Sequence, residues 1–315
     1  MLSRVAERIY WSARYIERVE NIARLVSVYD NMLYDLPKGV DISWYNLVEI
    51  NGSTELFHER YKVQDEKNVL KFMLEDATNS SSMLSSIKMV RENIRTTRDV
   101  VPEATWELIN ELDIYARQNI KKGINRSDRH TFLNRIIEGC QTINGLLAGT
   151  MSRDATWQFV LLGRNVERSD MTTRVLDAAV SLMLQHQEEE RLALAQVLWS
   201  KVLKSQGAYL NYRRTVRTSI SGAKVAKFLL NDPYFPRSVS FCFSEMLVAV
   251  NKLPHGESVL DSLKVLKEMD FEVTTSDDLD EEFRNYLNEL QIGIIQLSSN
   301  ITESWFSFDK EGEAA

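Results

Sequence analysis

The chain has 315 residues, 44% of them apolar, 9% aromatic and 26% charged. These values suit one large or two ordinary globular domains, and they exclude a disulfide-stapled mini-protein, a disordered tail and a fibrous repeat. A net charge of −7 and a pI near 5.4 argue against a dominant nucleic-acid or anionic-membrane surface, while leaving room for a local basic groove.

The amino-terminal stretch carries charges every three or four residues, so it reads neither as a signal peptide nor as the roughly 18 apolar residues of a membrane span. Cys140 and Cys242 stand far apart and form no CxxC or Cys/His cluster. The expected location is therefore the reducing cytoplasm. The prolines Pro37, Pro102, Pro233, Pro236 and Pro254, with only 12 glycines, leave long runs without a helix breaker. The first predicted helix covers residues 3–35 and is closed by Leu36-Pro37. Further helices are predicted near 42–51, 65–76, 80–100, 103–121 and 128–149, with Pro102 placed where a first helical turn tolerates it. Between 121 and 153 nothing resembles a flexible linker, and residues 132–164 continue the helical pattern. No segment shows the alternation and turn chemistry of a sheet. The predicted class is all-α, a bundle of long helices.

The sequence also repeats itself. Arg14, Glu17, Arg18 and Arg24 recur as Arg164, Glu167, Arg168 and Arg174, each shifted by 150, with Met1/Met151 and Ile16/Val166 in step. Trp44, Gly52 and Phe57 find Trp199, Gly207 and Tyr212 at a shift of 155. Phe72, Leu74, Asp76 and Ser82 find Phe228, Leu230, Asp232 and Ser238 at 156. Ordered matches with a slowly growing offset imply an internal duplication, with a first helical half at 1–150 and a second at 151–315 packed as one pseudo-two-fold unit.

Positions 14, 17 and 18 share one face of a helix, and 24 returns to nearly the azimuth of 17. Glu17 can thus meet its own arginines and a neighbouring helix. The same helix carries Val5, Ile9, Tyr10, Trp11, Ile16, Val19, Ile22, Leu25 and Val26 with no broad polar face, which predicts burial of some of these charges and hence their pairing. In a second cluster Arg91, Arg95 and Arg98 form a cationic stripe at i, i+4, i+7 beside Glu92 and Asn93. Carboxylates of the first helix or an anionic ligand could answer it, because a guanidinium offers planar donors matched to carboxylate and phosphate.

The repeated Glu-Arg strings, the amino-terminal MLSRVAERIYWSARYIERVENIARL, the block SSMLSSIKMVRENIRTTRDVVPEATWELIN and the later FLLNDPYFPRSVSFC together resemble the bacterial alpha-E domain family over about the whole chain. Glu17, Arg18, Glu167 and Arg168 are the positions that match its Glu-Arg signatures. Where many relatives would carry asparagine-proline, this chain has Asn79-Ser80. The resemblance implies a genomic context of ATP-grasp peptide-ligase-like and transglutaminase-like proteins, and thus a peptide-forming or peptide-modifying system.

The remaining side chains offer little independent chemistry. His58, His130, His186 and His255 are scattered, without HExxH or a helical Glu-x-x-His pair, so no metal is expected. Neither phosphate-loop signature occurs, so no nucleotide and no other cofactor is expected. Ser238 lacks a nucleophile elbow and reads as a helix cap. In the acidic stretch 274–283, Ser276 or Asp277 is expected to start a helix. Arg213, Arg214 and Arg217, with Lys224 and Lys227, form a secondary basic surface suited to solvent or to an acidic partner. Two readings result. In the first the chain is a non-catalytic helical accessory that docks the ATP-grasp or transglutaminase-like partner. In the second it is an enzyme or carrier of that system, gripping a carboxylate or acyl-phosphate, from a peptide or acidic small molecule, with Arg14, Arg91 or Arg95 while Glu17 or Glu167 handles a proton.

Overall fold

A computed structural model describes residues 3–36, 40, 42–126 and 128–307. Within them the chain forms fourteen α-helices and two short 3-10 turns, with no strand. In order these are α1 (Ser3–Asp35), α2 (Asn46–Ile50), α3 (Thr54–Arg60), α4 (Glu66–Leu74), α5 (Met83–Arg95), α6 (Ala104–Ile124) and α7 (Arg129–Thr150). There follow α8 (Ala155–Leu184), α9 (Glu188–Ser205), α10 (Tyr209–Thr215), α11 (Gly222–Asn231), α12 (Val239–Val250), α13 (Glu257–Glu268) and α14 (Glu281–Trp305).

Short polar side chains set many of the starts by answering amide groups that the first helical turn leaves unpaired. Asp65 accepts from the Asn68 N–H at 2.8 Å, Ser82 from Ser85 at 3.3 Å, Asp154 from Trp157 at 3.2 Å and Ser238 from Phe241 at 3.2 Å. Ser238 is thus the cap expected from sequence. The acidic stretch differs from expectation: Asp280, not Ser276 or Asp277, caps α14, accepting from Glu282 and Phe283 at 2.9 and 3.0 Å. Ser276–Asp278 is a separate 3-10 turn capped by Thr275.

The predicted helix over 3–35 is found with those limits, while Pro37, expected to close it, and Met1 of the repeat lie outside the described residues. The helix predicted over 80–100 stops at Arg95. The Thr96 and Thr97 hydroxyls donate back to the Asn93 carbonyl at 2.9 and 3.0 Å, competing with the backbone ladder, and a 3-10 turn at Arg98–Val100 follows. The helical pattern over 132–164 is interrupted at 151–154, where Asp154 starts a new helix. The helix α3 is an addition to the sequence reading, and the one expected over 42–51 begins only at Asn46.

Two long helices, α1 and α8, form the centre. α1 packs against α5, α7, α8 and α9, and α8 packs against α1, α2, α12 and α14. The apolar side chains of both halves belong to one contiguous core. At the α1/α8 crossing the backbones meet almost without intervening side chain, for a Cβ on Gly163 would lie 2.2 Å from the Tyr10 carbonyl oxygen and 3.2 Å from Ala13 Cβ. This closeness brings the Glu-Arg strings of the two helices into register with each other.

Candidate functional site: a crossed Glu-Arg core

Each motif glutamate pairs with arginines of the opposite half. Glu167 of α8 is gripped by α1: Arg18 donates Nε to Oε1 at 2.6 Å and Nη2 to Oε2 at 3.0 Å, while Arg14 Nε reaches Oε2 at 2.9 Å. Glu17 of α1 is met by Arg168 of α8 at 3.1 Å and by Arg237 at 2.5 Å. The expectation that Glu17 meets its own arginines is therefore corrected. Arg14 and Arg18 turn across the seam because Glu167 lies at their guanidinium ends, where a bidentate fork can form. Both glutamates are nearly sealed, with side chains 1% and 4% exposed.

The next turn repeats the arrangement. Glu20 accepts from Arg24 at 2.8 Å and from Arg237 at 3.1 Å, and Asp170 accepts from Arg174 at 2.9 Å. Two tight turns support these arginines from the other half. Gly207 follows α9 at φ 64° and its would-be Cβ lies 3.4 Å from Arg24 Nη1. Gly52 follows α2 at φ 62° and a Cβ there would lie 3.0 Å from Arg174 Nη1. A positive φ with a guanidinium against the α-carbon admits only glycine without strain.

The electrostatics follow from this pairing. Burial pushes the Glu17 carboxyl up, but Arg168 and Arg237 together outweigh it and hold it at about 2. Glu167 is likewise held below the ordinary carboxylate range, since Arg18 and Arg14 overcome its burial. Both are carboxylates at neutral pH, unsuited to storing a proton. Arg164 is the exception among the motif arginines. No carboxylate among the described residues forms an ion pair with it; its Nη2 donates to Asn144 Oδ1 at 3.0 Å and its guanidinium lies 5.8 Å from the Trp157 ring. Burial, then repulsion from Arg168, lowers its pKa to about 10.

The second predicted cluster lies elsewhere. Arg91 donates to Asn110 at 2.8 Å and pairs with Glu92 at 3.2 Å, Arg95 pairs with Glu92 at 3.0 Å, and Arg98 stacks 3.8 Å over the Trp106 ring. Asp113 of α6 stands 3.7 Å from Arg91. The stripe is answered by α6 and by its own Glu92, not by first-helix carboxylates, one of the two alternatives open to it. Arg213, Arg214 and Arg217 are exposed at and just beyond the end of α10, apart from both clusters.

Three functional positions escaped the sequence reading. Glu20 and Asp170 follow the motif glutamates by three residues and precede Arg24 and Arg174 by four, a spacing that could have revealed them. Arg237 carried no such signal, because its role depends on a fold contact with α1. A second ion cluster, around one buried arginine, was also unmarked: Arg129 is wholly buried over Trp44, pairs with Asp30, donates to Glu66 at 2.7 Å and to the carbonyls of Gly123 and Ile124 at 3.0 Å. The thiols are inert by environment, with burial raising Cys242 to about 12 and Cys140 well above its ordinary value. No group of three or more His, Cys, Asp or Glu among the described residues is placed to hold a metal ion, and none of their helices is long and apolar enough to cross a membrane.

Residues 1–306 match the model of a family described as a predicted alpha-helical domain with a conserved ER motif. The chain belongs to the Alpha-E family. Glu17-Arg18 and Glu167-Arg168 are two of the five Glu-Arg dipeptides in this Alpha-E chain. Uncharacterised proteins of Mycobacterium bovis and Mycobacterium tuberculosis are each 21% identical to it over 284 residues, covering 84% of this chain and 31% of the relative. The Alpha-E chain therefore spans about a third of the length of the curated relatives it matches. No solved structure matches it.

Proposed function

We propose that this Alpha-E chain is a non-catalytic helical accessory or scaffold subunit of a peptide-forming or peptide-modifying system, docking ATP-grasp peptide-ligase-like and transglutaminase-like proteins. The observation that carries the non-catalytic part is the crossed pairing: both motif glutamates are engaged as struts between α1 and α8, ionised at neutral pH. Pairs of this kind fix which surfaces meet more than they add net stability. The partner classes are those implied by the resemblance of the sequence motifs, and the greater length of the mycobacterial relatives agrees with a unit that works beside further sequence. The two halves are copies of one seven-helix unit, a reading supported by Ser82 and Ser238 capping α5 and α12 alike and by the paired turns at Gly52 and Gly207. The chain works in the cytoplasm, in keeping with its two free, buried cysteines.

The docking surface includes the basic end of α10, where Arg213 and Arg214 flank a Leu210 that is 72% exposed. Co-purification with each partner class at low and at physiological salt tests the reading. Stable association that weakens on reversing charge at Arg213 and Arg214 is the expected result. Failure to associate at both salt levels contradicts it.

A second reading, that the chain carries a carboxylate- or acyl-phosphate-bearing ligand for the same system, is favoured by one observation. A cavity of about 300 Å³ opens beside Arg14, Arg18 and Glu167.

A further inference from the structure

The cavity beside Glu167 has a filled counterpart on the other side of the α1/α8 seam. There, Arg237 stands one residue before the cap of α12 and is buried, with Nη1 on Glu17 at 2.5 Å and on Asn21 Oδ1 at 2.8 Å, and Nη2 on Glu20 at 3.1 Å. Its guanidinium bridges two carboxylates one helical turn apart. On the open side the residue one before the cap of α5 is Ser81, whose hydroxyl stands 3.5 Å from Arg18 Nη1. The carboxylates one turn apart are Glu167 and Asp170, both lining the cavity. No guanidinium among the described residues bridges them. Asp170 keeps its Oδ2 on Arg174, but its Oδ1 is buried and accepts no hydrogen bond.

A buried carboxylate oxygen without a donor costs free energy that a ligand N–H would recover. The cavity also presents positive groups. Arg18 uses Nε and one Nη2 hydrogen on Glu167, and Arg174 uses Nε on Asp170, which leaves further Nη–H donors on both for an acceptor. The seryl hydroxyls of Ser81 and Ser298 line the same space, and Ile295, 57% exposed, marks its solvent side. Three arginines against two carboxylates would repel a bare cation and would leave the Asp170 oxygen unanswered by a bare anion.

The geometry points to a binding site for a small zwitterion, an amino acid or the end of a short peptide, whose ammonium or guanidinium bridges Glu167 and Asp170 as Arg237 bridges Glu17 and Glu20, and whose carboxylate meets Arg18 or Arg174. A volume near 300 Å³ suits a molecule of that size. This inference rests on the second reading above and sharpens it, replacing an acidic ligand by one carrying both charges.

Calorimetric titration of the full chain at constant ionic strength tests it, with L-arginine and glycylglycine as zwitterions, agmatine as a cation without carboxylate, and acetate and inorganic phosphate as anions. The expected result is that at least one zwitterion binds about tenfold or more tightly than agmatine, acetate or phosphate. Asp170→Asn should weaken that binding by about tenfold while leaving acetate unaffected. Ser81→Arg should abolish it with the melting temperature held or raised, because the new guanidinium fills the site from within. Acetate or phosphate binding as tightly as the zwitterions overturns the inference but spares the second reading. Absence of binding by every probe at low millimolar concentration overturns both. Zwitterion binding undiminished in both variants overturns the placement.

Discussion

At the scale of single residues, two arginines of one motif have opposite circumstances. Arg168 pairs with a sealed carboxylate, whereas Arg164 has an amide and an indole for company. Breaking a buried pair strands its partner, so Glu17→Gln is expected to cost about 3–5 kcal/mol by leaving Arg168 unopposed and Arg237 with Glu20 alone. Arg164→Gln is expected to cost less than about 1 kcal/mol, since the charge it removes is disfavoured by burial. Chemical denaturation of both variants checks the order, and an equal or greater loss for the Arg164 variant contradicts it. The acid response has a defined sign. The folded Glu17 carboxyl lies at about 2, below its unfolded value near 4.5, so its contribution is complete above about 4.5 and is lost as pH falls toward 2. Glu167 acts in the same direction. Melting temperature should therefore fall steeply across that window, and Glu17→Gln should flatten the fall. A wild-type profile no steeper than that of the variant contradicts the assignment. The Arg and Glu positions of the motif were legible because the repeat printed them twice. Arg237 occurs without a repeat partner, Ser81 standing in its place, and so was not.

Among the elements, glycines separate helices that must touch from helices that need only be regular. Gly163→Ala drives a Cβ into the Tyr10 carbonyl, an atom of a helix backbone that cannot rotate away, and α1 and α8 must part. A loss of about 3 kcal/mol or more is expected, at the upper end of core overpacking. In α7, a Cβ on Gly145 would meet no atom within 4 Å among the described residues beyond its chain neighbours and its own helix backbone. Gly145→Ala is expected to raise stability by about 0.5–1 kcal/mol through the unfolded chain's lost freedom. Thermal or urea denaturation of the pair checks both signs, and a destabilised Gly145 variant contradicts the second. Sequence patterning gave the existence of most long helices, including the full extent of α1. It missed the stop after Arg95 and the break at 151–154. Each is made by a local side-chain hydrogen bond, from Thr96 and Thr97 to Asn93 or from the Trp157 N–H to Asp154, and not by proline or a loss of apolar period.

For the molecule entire, the first and second halves are interlaced. The turn after α2 touches α8, the turn after α9 touches α1, and the apolar core passes through both without a boundary. Six tryptophans, three in each half, report on the two regions. Heating should give one cooperative transition, with tryptophan emission and far-ultraviolet circular dichroism changing at the same temperature. Two resolved transitions would mean that the halves are separable domains.

The order of residues alone determined that the chain is helical, that the Glu-Arg string occurs on two long helices, and that charges on so apolar a helix need partners. These are properties of composition and of the 3.6-residue period, which a single helix already expresses. Tertiary structure decided which partners those are. Crossing of the pairs depends on the backbone approach at Gly163, and the bridging of Glu17 and Glu20 depends on the guanidinium of Arg237 reaching both from the start of α12. Both are distances between segments remote along the chain, fixed only when α1 and α8 pack.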